Sequence, residues 1–231
     1  MIISIHQPQY LPWLGYFDKI DQADMFCFLD NVQYKKNEWQ NRNRIKTSQG
    51  WQWLTVPVRF RFPEKINEVA IDSNVNWQHK HLQAIITNYR KAPYFDQYFD
   101  FFEGVYKKNW SSVSELNIFL VTEICRFLGM DNFKSVLSSQ MDLREDPTDR
   151  LIDICKILGG NTYLAGQGGA GYMDLERFEE NGIKVIFQDF NHPVYRQQFK
   201  GFVSHLSIID LLMNCGDKSL AVIRDAQTDI R

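Results

Sequence analysis

A short apolar run, Met1-Ile2-Ile3-Ser4-Ile5, stops at His6-Gln7-Pro8-Gln9, and a helical pattern follows from Leu11 to about Gln22. A second run, Met25-Phe26-Cys27-Phe28-Leu29, comes next and ends in Asp30-Asn31. Compact apolar runs bounded by polar residues read as buried strands. Strand, helix, strand at this spacing predicts a βαβ unit and therefore a parallel sheet. The order recurs late in the chain. A helix opens at Asp146-Pro147-Thr148, with proline where helices favour it, and runs to Gly159-Gly160. A strand at 162–165, a helix at 175–180 and a strand at 183–187 complete the alternation. The expected fold is α/β, a Rossmann-like parallel sheet in one domain spanning 1–231. Residues 133–139 return to a strand pattern, and the stretch from about 77 to 130 reads as a mainly helical insertion. Between them and the first unit lie a polar stretch, 31–50, and an expected hairpin pairing 51–58 with 67–71.

Charge and cysteine usage narrow the function classes. Net charge is −2, so no nucleic-acid surface is expected of the whole chain, although 35–46 is locally basic. The cysteines Cys27, Cys125, Cys155 and Cys215 are scattered singly, as buried thiols of a reducing compartment would be. There is no signal-peptide pattern and no run long enough to span a bilayer, which predicts a cytoplasmic protein. No metal is expected, since no His-Glu-x-x-His and no tight His/Cys cluster occurs. No Gly-x-Ser-x-Gly elbow occurs either. Aromatic residues make up 14%, many in polar surroundings. They fit either a groove for a flat or sugar-like ligand or packing at the core edge.

Four clusters hold residues able to do chemistry. His6, Gln7, Gln9, Tyr10 and Trp13 follow the first strand, at the edge where open α/β sheets bind ligands. Packing of the first helix is the plainer alternative. Asp30, Asn31, Gln33, Asn41, Arg42 and Arg44 follow the second strand. There the arginines offer forked donors to a phosphate or carboxylate, and Asp30 could orient a base or amine. A solvated loop would look the same. Gly166 and Gly168, in Gly166-Gln167-Gly168-Gly169-Ala170-Gly171, allow a close backbone approach to an anion, or simply a flexible connection. The run matches neither G-x-G-x-x-G at full strength nor a P-loop. His192, Tyr195 and Gln197 follow the last strand, so His6 and His192 would converge and share proton transfer if both strands are central. Asp210, in an apolar helix, reads as either an inward functional group or a cap for a neighbouring loop, and the cap is the expectation.

These residues also carry a resemblance. His-Gln-Pro-Gln-Tyr-Leu-Pro-Trp-Leu-Gly-Tyr-Phe-Asp-Lys-Ile at 6–20, Phe-Leu-Asp-Asn-Val-Gln-Tyr at 28–34 and Asn-Arg-Asn-Arg-Ile-Lys at 41–46 resemble the WbqC-like family. So do Trp-Leu-Thr-Val-Pro-Val at 53–58, Tyr-Leu-Ala-Gly at 163–166, His-Pro-Val-Tyr-Arg-Gln at 192–197 and Leu-Ser-Ile-Ile-Asp-Leu-Leu-Met-Asn-Cys-Gly at 206–216. The resemblance spans nearly the whole chain. It implies a bacterial protein of O-antigen or surface-polysaccharide biosynthesis, with a suggested role as a glycine or related aminoacyl transferase acting on an amino sugar. It supplies no agreed catalytic set. More loosely, Pro12-Trp13-Leu14-Gly15-Tyr16 is similar to the Pro-x-His-x-Gly-His turn of HIGH-type nucleotidyltransferases, with Trp13 and Tyr16 in place of its histidines. That departure weakens an ATP-dependent reading while leaving the fold similarity open.

The expected function is amide formation between a small acyl or glycine-like donor and an amino sugar, expected to be nucleotide-linked. The alternatives are ATP-dependent adenylylation and non-catalytic binding of a sugar nucleotide. His6 or His192 would act as base, and Gln7, Gln9 or Asn31 would hold the oxyanion. Arg42, Arg44 and the 166–171 loop would hold phosphate, while Tyr10 and Trp13 would wall the sugar. No resident cofactor is assigned, ATP entering only under the alternative. The expected partner is a small-molecule nucleotide-sugar or acyl donor, and a homo-oligomer is compatible with the sequence.

Overall fold

The computed structural model describes residues 1–171 and 173–227. Its strands are β1 (Ile2–His6), β2 (Met25–Phe28), β3 (Arg42–Thr47), β4 (Gly50–Thr55), β5 (Val58–Arg59), β6 (Ala70–Ile71), β7 (Ser135–Leu137), β8 (Thr162–Ala165) and β9 (Lys184–Phe187). The helices are α1 (Leu14–Gln22), α2 (Trp77–Tyr89), α3 (Phe95–Lys107), α4 (Val113–Phe127), α5 (Pro147–Ile157), α6 (Leu175–Glu180), α7 (Ile208–Cys215) and α8 (Ser219–Arg224). Five strands form one sheet in the order β7-β2-β1-β8-β9, and every pairing in it is parallel. The fold is α/β and Rossmann-like. The chain builds outward from β1 to one side and later returns to place β8 on the other. The order therefore reverses between β1 and β8, where such sheets open a crevice beyond their carboxyl ends.

Strand alternation sends neighbouring side chains to opposite faces. On one face Ile3, Ile5, Cys27, Tyr163 and Ala165 pack with Leu151, Ile152, Ile154 and Cys155 of α5 and Phe178 of α6. On the other, Phe26 and Phe28 join Tyr16, Phe17 and Ile20 of α1, and that core continues into α2, α3, α4 and α7. Burial on both faces explains why β1 and β2 read as near-continuous apolar runs. The helix opening at 146–148 forms as its sequence predicts, with Pro147 in the first turn and the Asp146 side chain accepting from Asp149 N–H.

Two local expectations need correction. Helix α1 starts at Leu14 rather than Leu11, because Leu11 adopts φ +46° and Pro12 completes the turn. The strand at 50–55 pairs antiparallel with 42–47, not with 67–71. Segment 67–71 instead supplies β6, which pairs with β5. The sequence of β3 is polar at nearly every position and reads as loop. Its inward positions are nevertheless Asn43 and Ile45, both buried. Asn43 finds its partner in the Leu11 carbonyl, to which Nδ2 donates at 2.7 Å. Among the described residues no helix is long and apolar enough to cross a membrane.

Candidate functional site

Beyond the carboxyl ends of β1 and β8 lies a crevice of about 190 Å³, lined by His6, Trp13, Gly15, Tyr16, Lys19, Gly166, Gln167, Gly168, Gln188 and Phe190. Of the residues singled out by sequence, the fold brings His6, Trp13, Gly166 and Gly168 together here. Helix α1 gives the crevice one wall. Positions 15, 16 and 19 fall on one helical face, since residues three and four apart are neighbours. Trp13, just before α1, folds back over that face. A Cβ on Gly15 would meet the Trp13 ring at 2.3 Å, so only glycine lets the indole lie there.

Lys19 is the group sequence reasoning missed. It is 3% exposed, and among the described residues no carboxylate lies within ion-pair distance of it and no hydrogen-bond acceptor is shown for Nζ. A Cβ on Gly166 would come within 3.8 Å of Nζ, which places the amine against the glycine loop. Burial pushes its pKa down to about 7, and the neighbouring Asp18 charge only partly offsets that. The sequence shows only that Lys19 shares a helical face with Gly15 and Tyr16, and nothing local marks that face as buried. Asp18 is itself fully buried, accepting from Gln22 Nε2 at 2.9 Å and from Gln188 Nε2. Gln188 also donates to the Gly15 carbonyl at 2.7 Å, tying the end of β9 to the start of α1. Burial raises the Asp18 pKa, opposed by those amide bonds.

His6 stands at the end of β1 with its ring edge-on to Tyr16, 4.8 Å between centroids. Its Nδ1 lies 3.0 Å from the Gln7 carbonyl. A carbonyl only accepts, so Nδ1 carries the proton and Nε2 keeps its lone pair. Burial, reinforced by Lys19, lowers its pKa to about 3. The imidazole is therefore neutral across the physiological range. It is an acceptor, and far from the pKa that suits a base near pH 7.

His192 does not reach His6. Beyond edge strand β9, its ring stacks on Trp13 at 6.4 Å and on Tyr195 at 6.3 Å, and lies 4.9 Å from His205. His205 stacks on Trp13 from 5.1 Å. Burial lowers the pKa of both histidines, and each faces a second charge, His205 beside His192 and Arg44 beside His205. Nδ1 of His192 donates to the Pro193 carbonyl at 2.9 Å, while its Nε2 is buried without a partner among the described residues.

The other sequence candidates fall into supporting positions. Gln7 Oε1 accepts from Gln40 Nε2 at 2.7 Å, and the Gln7 carbonyl accepts from Tyr16 at 3.1 Å. Gln9 is buried, with Oε1 unpartnered among the described residues. Tyr10 points into the helical core, bonded to His81 at 2.9 Å and Tyr106 at 2.7 Å. The Asp30 carboxylate accepts from Ser139 N–H at 2.9 Å and from the hydroxyls of Ser138 and Ser139 at 3.0 and 2.7 Å. Asn31 Nδ2 donates to the Ser138 carbonyl at 3.1 Å. These bonds join the ends of β2 and β7. Gln33 is exposed and bridges to Lys65, and Asn41 Nδ2 donates to the Val56 carbonyl at 2.8 Å. Asn41 and Tyr34 line a separate cavity of about 520 Å³ with Lys36, Arg59 and Arg61. There Arg59 is already paired with Asp72 at 2.6 Å, outside the sheet crevice. Gln197 holds Val203 through both its N–H and its carbonyl. Asp210 turns inward, and it is Ser207 that caps the N-terminus of α7. The buried Asp210 carboxylate instead receives Tyr89 and Tyr195 at 2.9 Å each.

Arg42 and Arg44 lie on the outer face of the β3–β4 hairpin, level with Thr55 and Trp53 across the strand. The Arg42 guanidinium sits 4.3 Å from the Trp53 ring, and that of Arg44 lies 5.0 Å from Trp51. Arg44 Nη2 also donates to the His205 carbonyl at 3.2 Å. The hairpin thus joins the His205–Trp13 stack that borders the crevice.

Comparison with known proteins agrees with the motifs from which this site is built. No solved structure matches the chain. An uncharacterized protein of Mycobacterium tuberculosis, Rv1507c, is 37% identical over 226 residues, covering 96% of this chain and 97% of that protein. The model of the WbqC-like protein family matches residues 7–222, from the turn after β1 through α7 into α8. The chain belongs to the WbqC-like protein family.

Proposed function

We propose that this protein is an acyl or aminoacyl transferase that joins a small glycine-like donor to the amine of a nucleotide-linked sugar, with the reaction in the β1–β8 crevice. The observation that supports it most is Lys19, a buried amine with a pKa of about 7 set against a glycine loop. A sugar ammonium must lose a proton before its nitrogen can attack, and a base matched to neutral pH does this best. Neutral Lys19 takes that proton. His6 Nε2 accepts a hydrogen bond from the same amine and aims its lone pair. The nitrogen then attacks the acyl carbon, and as the tetrahedral oxyanion collapses the proton still on that nitrogen passes to the leaving group, which departs with its bonding pair. Backbone N–H groups of the 166–168 loop supply donors for that oxyanion. The crevice also fits an adenylylating reading, because Gly15 stands where the HIGH-type turn has its glycine. Release of pyrophosphate from ATP separates the two.

The test is transfer of labelled glycine from activated donors to UDP-, dTDP- and CDP-linked amino sugars, followed as amide product by mass spectrometry. Lys19→Met should lower the rate by about 10²–10⁴-fold with the fold intact by circular dichroism. His6→Gln should lower it less. Transfer by Lys19→Met at the wild-type rate would sink the assignment. Binding of a sugar nucleotide with no turnover under any donor would favour a non-catalytic role.

A further inference from the structure

The crevice holds about 190 Å³, whereas sites that enclose a drug-sized ligand occupy about 300–1,000 Å³. It has room for the reacting ends of a substrate but not for a sugar together with its nucleotide. If the reading above is right, the remainder of the substrate lies outside, on a surface that adjoins the crevice. One such surface is built for it. Trp39, Trp51 and Trp53 are 38%, 44% and 37% exposed and sit together, Trp53 lying 5.6 Å from each of the other two. Large apolar side chains grouped in the open mark a binding surface more often than isolated ones do.

The arginines give this patch its chemistry. Arg42 lies over Trp53, and Arg44 lies among all three indoles, at 5.0 Å from Trp51 and 5.8 Å from Trp39 and Trp53. A guanidinium lying over a ring keeps N–H donors on its edge, and one Nη2 of each arginine already donates to a backbone carbonyl, Asn37 or His205. Nε of each arginine is buried, and the Nη groups are the edge left to meet a phosphate or carboxylate. Aromatic faces beside such donors accept a flat base and its phosphates at once. A path then runs from Arg44 through His205, stacked on Trp13, to the crevice wall.

We propose that the Trp39–Trp51–Trp53 patch with Arg42 and Arg44 is the nucleoside-diphosphate subsite of this protein. The base stacks on an exposed indole, the diphosphate lies along the guanidinium edges, and the attached sugar crosses Trp13 into the crevice.

The experiment is isothermal titration of the full chain with UDP, dTDP, CDP, GDP and ADP, with inorganic pyrophosphate and a short single-stranded oligonucleotide as contrasts. At least one nucleoside diphosphate should bind, and more tightly than pyrophosphate. Trp51→Ala should weaken it about tenfold, the size of one lost stacking contact. Arg44→Lys, which keeps the charge and loses the planar fork, should also weaken it. Lys19→Met should leave binding within about twofold. The proposal is overturned if no nucleoside diphosphate binds at millimolar concentration. It also falls if Trp51→Ala and Arg44→Lys bind like wild type while Lys19→Met does not, which would put the nucleotide in the crevice. Tighter binding of the oligonucleotide through the same tryptophans overturns it in favour of a nucleic-acid surface. The two readings fail separately: glycine transfer indifferent to the Trp51 variant removes the subsite only, and nucleotide binding on the patch without any transfer removes the transferase only.

Discussion

Lys19 and His6 share a crevice, and burial pushes both toward the neutral form. Their effects on stability have the same sign at different pH. Between about 7 and its ordinary value of 10.5, Lys19 is protonated in the unfolded chain and largely neutral in the folded one. The unfolded state binds more protons there, so stability rises with pH through that window. His6 does the same between about 3 and 6.5, so its burial costs stability as the medium is acidified. His6→Gln should flatten the acid limb of a stability–pH curve measured by urea denaturation. An unchanged slope below pH 6.5 would show that the imidazole charges without penalty. In the transfer assay the rate should rise with pH through about 7 as Lys19 loses its proton, and the inflection should vanish in Lys19→Met. At this scale the sequence was half legible. His6 at a strand end was visible because strand ends are positional. Asp30 looked equally reactive, yet it serves the turn that joins β2 to β7, a contact with residues more than a hundred positions away. Lys19 resembled a surface lysine, since nothing local says that β8 will close over it.

Elements with an unambiguous period were readable and polar ones were not. Strands β1, β2 and β8 were found because a strand packed inside a parallel sheet is apolar almost throughout, and edge strand β9 because Val185, Ile186 and Phe187 keep an apolar run. Strand β3 was lost among its arginines and asparagines, although Asn43 and Ile45 alternate inward as a half-buried strand requires. The turn before α1 concentrates a testable constraint. Gly15→Ala should cost about 1–3 kcal/mol through overpacking despite the better helix propensity of alanine, because the new methyl meets the Trp13 ring. A lowered urea midpoint together with impaired transfer is the expected pair of results. Wild-type values for both would mean that the indole shifts aside without consequence.

Across the whole molecule, one side chain of the helical layer ties together two segments that lead to the site. Asn117 of α4 donates from Nδ2 to the Pro8 carbonyl at 3.2 Å and to the Gln40 carbonyl at 2.7 Å, clamping the turn after β1 to the loop that leads into the hairpin. Asn117→Ala leaves two buried acceptors without a donor and should cost about 2–3 kcal/mol, read as a lower unfolding midpoint. By contrast Arg224→Ala, which breaks the 2.8 Å pair of α8 with Asp21, should change stability by about 1 kcal/mol or less, as ion pairs at the surface do. Equal effects from both would refute the clamp. A tertiary link of this kind cannot be read from sequence, where Asn117 is one of several polar residues of α4. The sheet order was legible only as a class: two strand-helix alternations implied a parallel sheet, while the placing of β8 beside β1 emerged from the fold.

A buried neutral amine has a further consequence, outside catalysis. Most lysines of a protein are ammonium ions at pH 7 and react slowly with electrophiles, since a proton occupies the lone pair. Lys19 holds its lone pair free much of the time, behind an opening that excludes bulky reagents. Cyanate at limiting concentration should therefore carbamoylate Lys19 ahead of the other lysine side chains. Whatever compound shields it from that reaction, read by peptide mapping, is a compound that enters the crevice, and it can be sought without knowing the reaction at all.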